Sequence, residues 1–177
     1  MVRQLSQLEG PDSRISLLPS VAEDRLEKYA ICRLGLGTGD APHYVRFFWE
    51  IPGPNQHWAL FQTATDGVEY CGGFDSVVAW DPVARRVRGM SDAERRQAHN
   101  QDYRGREVWG RHGVAVSLVS ELKASAYTGS LFDKAVAVIV PFDSAHLCAI
   151  SAFVRSGEFA AAVRQLDQKL MVTNATL

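Results

Sequence analysis

The period of the apolar positions changes twice along the chain. Residues 1–20 are polar and punctuated by Gly10, Pro11 and Pro19, and they read as a lead-in to one domain over 21–177. In VAEDRLEKYA the residues Ala22, Leu26, Tyr29 and Ala30 recur at helical spacing, with Ser20 and Glu23 placed as a reciprocal N-terminal cap. A short strand and a glycine loop follow in CRLGLGTGD. Asp40 then caps a predicted helix over APHYVRFFWE, with Pro42 in its first turn and Val45, Phe48 and Trp49 on one face. Beyond Pro52-Gly53-Pro54-Asn55 the period shortens to two, predicting strands in HWALFQT, VEYCGG and SVVAW, the last ending at Asp81-Pro82. Ser91 starts a short Arg-rich helix that runs out before the turn-like Tyr103-Arg104-Gly105-Arg106. Three more strands are predicted in GVAVSLV, YTGSLF and KAVAVIVP. A helix capped by Asp143 and closed by Gly157, a second helix in EFAAAVRQLDQ and an extended MVTNATL complete the pattern. No repeat or linker divides it. The predicted class is α+β: a mixed, largely antiparallel sheet with helices at both ends.

Composition narrows the function classes. At 177 residues with 46% hydrophobic and 22% charged residues, the chain buries a full core without disulfide or metal staples. Its formal charge of -1 speaks against wholesale polyanion binding, but the average hides an asymmetry. Fifteen of the 19 basic residues are Arg, and eight of them fall between Arg85 and Arg111, where only Asp92, Glu94, Asp102 and Glu107 oppose them. That segment carries a net charge of +4. Cys32, Cys71 and Cys148 lack ligand or disulfide spacing and read as reduced thiols. The N-terminus has no apolar signal region, and the longest apolar run, Ala135 to Val140, is far too short to cross a bilayer. A cytoplasmic location without a membrane partner is expected.

Among motifs, Gly35-Leu36-Gly37-Thr38-Gly39-Asp40 has two readings: a tight structural loop, or backbone amides that approach an anion. The five histidines lack metal-binding spacing and no nucleophile elbow is present, so no catalytic or metal residue is assigned. Between Arg85 and Arg111 the guanidinium groups alternate with Tyr103 and Trp109. Arginine forks suit phosphate oxygens and guanine edges; the same residues would also make a solvated face paired with the four acids. Lys123, Tyr127, Thr128, Lys169, Thr173 and Asn174 are further polar groups beside strands.

The blocks VWGRHGVAVS, AYTGSLFD and AVAVIVP, in that order, resemble the C-terminal specificity region of restriction-modification adenine-N6 DNA methyltransferases of the type IIG and BREX-like group. Upstream, LEKYAICRLGLGTGDAPHYVRFFWE is similar to the family segment in which a TGD loop precedes a helix bearing Arg and Trp. Downstream, SGEFAAAVRQLDQKLMVTNATL is similar to the segment that runs on into a VPF strand. The likeness spans Leu26 to Leu177, and the Asn-Pro-Pro-Tyr motif of the family's catalytic domain is missing. It implies a target-recognition domain, truncated at its C-terminus, that binds double-stranded DNA. Such a fragment is not catalytic alone and holds no cofactor; S-adenosylmethionine belongs to the full-length family, and a separately encoded catalytic domain is a conceivable partner. On this likeness Thr38, Gly39, Asp40 and Arg46 lie near DNA, and Arg104, Arg106, Arg111, Lys123, Tyr127, Thr128, Lys169 and Asn174 supply backbone or base contacts. The competing expectation is a fragment that docks on a methylase or nuclease partner without touching DNA.

Overall fold

The computed structural model describes residues 25–53, 57–65, 67, 70–119 and 121–177. The fold is α+β. An antiparallel sheet of order β1-β9-β6-β7 comprises Ala30–Leu34 (β1), Gly113–Ser117 (β6), Ala124–Tyr127 (β7) and Val136–Pro141 (β9). A second sheet of order β2-β4-β3-β8 comprises Val45–Phe47 (β2), Trp58–Gln62 (β3), Ser76–Asp81 (β4) and Leu131–Phe132 (β8), and Arg86–Val87 (β5) adds to β4. Only β3 and β8 run parallel within it.

The apolar runs GVAVS and VAVIVP are buried along their whole length because both faces of the first sheet are covered. Val114, Val116 and Ile139 face Leu147–Val154 (α3) and Gly157–Leu166 (α4), meeting Ile150, Val154, Phe159 and Val163. Ala115, Val138 and Val140 face the other way, onto Val108, Tyr127 and Phe132. The Arg-rich segment therefore crosses the sheet's second face and supplies part of its cover. A separate core gathers Tyr44, Phe61, Val78, Trp80, Val87 and Met90 around the second sheet.

Several predicted elements hold. Ser91 and Glu94 cap Asp92–Gln97 (α2) reciprocally, and Asp40 caps Ala41–Tyr44 (α1) by accepting from the His43 amide at 3.2 Å. Others are corrected. The helix predicted to run to Glu50 stops after four residues, because Val45–Phe47 pairs with β4 and Phe48–Glu50 closes in a 3-10 turn. Sheet pairing outweighs a helical apolar spacing built from β-branched and aromatic residues. The helix beginning at Val21 falls, with its Ser20 and Glu23 cap, outside the described residues; its described end is one 3-10 turn, Leu26–Lys28, and Ala30 already belongs to β1. YTGSLF divides between the end of β7 and β8, and Gly157 opens α4 rather than closing α3. MVTNATL forms one bridge, Met171 to Val119, and a 3-10 turn, Asn174–Thr176. Among the described residues no helix is long and apolar enough to cross a membrane.

Candidate nucleic-acid interface

The Arg-rich segment is pinned from below. Val108 is fully buried, and its amide donates to Gly105 O at 3.1 Å. Gly105 has φ +83°, and a Cβ there would fall 2.7 Å from the Phe132 ring and 2.8 Å from Leu34 O. Only glycine fits this approach. Arg104 and Arg106, on either side of it, are exposed. The Gly110 amide bonds Gly129 O at 2.9 Å, fixing the segment to the turn after β7.

The acids of the segment do not neutralise it evenly. Asp102, fully buried, holds Arg86 at 2.9 Å and Arg95 at 3.4 Å. Glu107 reaches back to Arg33 at 4.0 Å, outside the segment. Glu94 serves the helix cap and accepts the Tyr44 hydroxyl at 3.1 Å; bonds from the Ser91 hydroxyl and amide, then from Tyr44, hold its carboxyl below the usual range. Among the described residues Arg85, Arg96, Arg104 and Arg106 form no ion pair.

Between the β4–β5 turn and this segment lies an open groove of about 410 Å³, lined by Ala84, Arg85, Arg86, Tyr103, Arg106 and Trp109. Asp81 Oδ1 accepts the Val83 and Ala84 amides, both at 2.9 Å, and so shapes the turn. Arg85 follows at φ +53°, a left-handed conformation uncommon outside glycine and asparagine. Its guanidinium lies 5.7 Å from the centre of the Trp109 ring, which packs at right angles to Trp80. Arg86 and Arg106 lie 5.6 Å and 5.1 Å from the centre of the Tyr103 ring. These distances suit cation–π attraction, worth about 0.5–1 kcal/mol each at exposed sites. The result is three planar cations and two aromatic rings around one concavity.

The sequence-predicted contacts do not share one surface. Gly37 N bonds Gln101 O at 3.0 Å, which sets the TGD loop beside the Arg-rich segment. Gly39 and Asp40 are exposed there, but Thr38 is only 6% exposed. Arg46 turns its guanidinium onto the carbonyls of Pro42 and Val45. Arg111 donates to Pro141 O at 2.9 Å, and Thr128 is exposed in the nearby turn after β7. Lys123, paired with Glu121 at 2.7 Å, sits at the opposite end of the β6–β7 hairpin, beside the segment carrying Lys169 and Asn174. The four steps of β6 alone separate the two ends by about 13 Å. Tyr127 is corrected outright. It is 1% exposed, stacks edge-on against Phe132 and donates to Ser130 O at 2.8 Å, and burial pushes its phenol up, so its side chain is core.

The glycine loop is likewise structural over its first half. The amides of Gly35, Leu36 and Gly37 donate to Val136 O, Phe132 O and Gln101 O, so these three are not open to an anion. Burial pushes the Cys32 thiol up to about 12, which leaves it protonated and unreactive at neutral pH. Among the described residues no cluster of three His, Cys, Asp or Glu could hold a metal.

Arg85, Arg86, Tyr103 and Trp109 were not among the individual contacts the sequence singled out, although the Arg and aromatic alternation marks their stretch. Choosing among eight arginines required knowing that Asp102 draws Arg86 and Arg95 inward and that the β4–β5 turn carries Arg85 to the groove. No protein-family model matches the chain, and no curated protein matches it.

Proposed function

We propose that this chain is a DNA-binding target-recognition domain of the kind found in adenine-N6 DNA methyltransferases of restriction-modification or phage-defence systems. The observation that supports it best is the groove in which Arg85, Arg86 and Arg106 gather around Tyr103 and Trp109. Arg86 spends one edge on Asp102, but Arg85 and Arg106 form no ion pair among the described residues and can turn their guanidinium edges to phosphate oxygens, and the exposed Arg96 and Arg104 add positive charge elsewhere on the segment. The ordered likeness of the blocks from Leu26 to Leu177 agrees with it. Catalysis and S-adenosylmethionine would reside in a separate catalytic domain, and the chain alone transfers no methyl group.

Fluorescence anisotropy with a labelled duplex tests the reading. The logarithm of the binding constant should fall linearly with the logarithm of salt, with a slope of about -0.9 per phosphate contacted. R106A should reduce that slope by about one. An affinity indifferent to salt and to both R85A and R106A would sink it, and methyl transfer by the purified chain would refute the absence of catalysis.

A second reading draws on another surface. Phe47, Phe48 and Trp49 are 48%, 52% and 60% exposed, with Phe47 and Trp49 stacked at 4.7 Å. Exposed apolar clusters mark protein contacts, which favours docking on a methylase or nuclease partner. Retention of such a partner that is lost in F48S/W49S, with no DNA binding, would favour this reading over the first.

A further inference from the structure

We propose that the groove receives a single unpaired nucleotide, its base laid against the rings and guanidinium planes and its phosphate on the guanidinium edges. This rests on the nucleic-acid reading above and specifies the form of nucleic acid the site takes.

The volume is the first argument. About 410 Å³ lies within the range of roughly 300–1,000 Å³ typical of sites that enclose whole small molecules. The lining is the second. A perfect duplex offers its phosphates to a cationic surface but keeps its base faces stacked on one another. Aromatic faces and guanidinium planes meet a base face only when that base has left the stack. Trp109 also packs on the two cores beneath the groove, but Tyr103 is exposed and carries a guanidinium against its ring, an arrangement a purely phosphate-binding surface does not need. Arg85 supplies the third argument. Its left-handed backbone is strained for an L residue, and strain of this kind persists where a side chain has work at a site.

The experiment compares three labelled DNAs of one sequence: a perfect duplex, the same duplex with a central one-nucleotide bulge, and the single strand. The bulged and single-stranded forms should bind about tenfold more tightly than the perfect duplex, a difference the size of one stacked base, and should quench tryptophan fluorescence. Deoxyadenosine monophosphate should compete where inorganic phosphate at equal concentration does not. Y103A should erase the preference, so that the three DNAs bind that variant with equal affinity. The comparison of the three DNAs on the unaltered chain needs no variant to fold. Equal, salt-sensitive affinity for all three would overturn the unpaired-nucleotide proposal and leave DNA binding standing; no binding to any of them would overturn both.

Discussion

Asp102 grips Arg86 at two points, with Nε donating to Oδ2 at 2.9 Å and Nη2 to Oδ1 at 3.1 Å, and its carboxylate is shut off from solvent. Arg95 donates to the same Oδ2 at 3.4 Å and to Val87 O at 3.1 Å, so one anion ties the β5 edge to the helix and turn that follow. Removing the anion strands two partly buried cations. D102A should therefore lower stability by about 3 kcal/mol, the low end for a broken buried pair because Arg86 keeps some contact with water. Urea denaturation measures it. A loss under about 0.5 kcal/mol would show that the pair is not the strut that holds Arg86 at the groove.

Arg85 poses a conflict between fold and site. A left-handed backbone costs an L residue roughly 1–2 kcal/mol, and glycine escapes most of that cost while losing more freedom on folding. R85G should consequently raise stability, by up to about 1 kcal/mol, and weaken DNA binding at the same time. Thermal unfolding and anisotropy on one preparation test both halves. If R85G lost stability and kept its affinity, neither the backbone strain nor the groove role of Arg85 would stand.

The second sheet shows why the fold was only partly legible in the sequence. Asp40, Pro42, Ser91 and Glu94 act within three or four residues of themselves, and their caps were readable without the fold. Val45 and Phe47 obey β4, whose partner residues Ser76 to Val78 lie some thirty positions away, and helical spacing alone could not reveal that. The site divides in the same way. The surplus of arginine between Arg85 and Arg111 is a property of the sequence. Which guanidinium is spent on buried Asp102, and which rests on a ring at the surface, depends on how that stretch crosses the first sheet. Tyr127 was misplaced for the same reason: a polar tip after a strand looks exposed until the turn at Ser130 and the Phe132 ring fold over it.

Acid should loosen the C-terminal segment before the sheets. Asp167 is 3% exposed, and its carboxylate accepts from the Thr173 amide at 3.1 Å, the Lys169 amide at 3.2 Å and the Thr173 hydroxyl at 3.2 Å. The Thr173 amide is the largest cause that holds its pKa down to about 2, against burial, which works the other way. A carboxyl with a depressed folded pKa stabilises the fold fully above its unfolded pKa of about 4 and loses that contribution as the pH falls through about 2. The unaltered chain should therefore be more stable than D167N at pH 6, and the gap should close between about pH 4 and pH 2. Parallel melting curves across that range decide it; a gap independent of pH would assign the difference to packing rather than charge.

Two glycine substitutions separate a structural loop from a ligand cradle. A Cβ on Gly35 would sit 2.2 Å from Asp133 O and 2.3 Å from Phe132 O, backbone atoms that cannot turn aside. G35A should push β1 and β8 apart and cost at least about 3 kcal/mol, the upper end of ordinary overpacking, because the atoms it meets are backbone. Gly157, at the first position of α4, has nothing within 4 Å of its would-be Cβ, and alanine forms helix better than glycine. G157A should thus gain up to about 1 kcal/mol. The contrast in denaturation midpoint tests the account of the GLGTGD loop directly. Gly35 is required because two backbones touch there, so G35A must lose its fold along with its DNA binding. A G35A chain that melted like the unaltered one and failed only to bind DNA would return the loop to the role of a phosphate cradle.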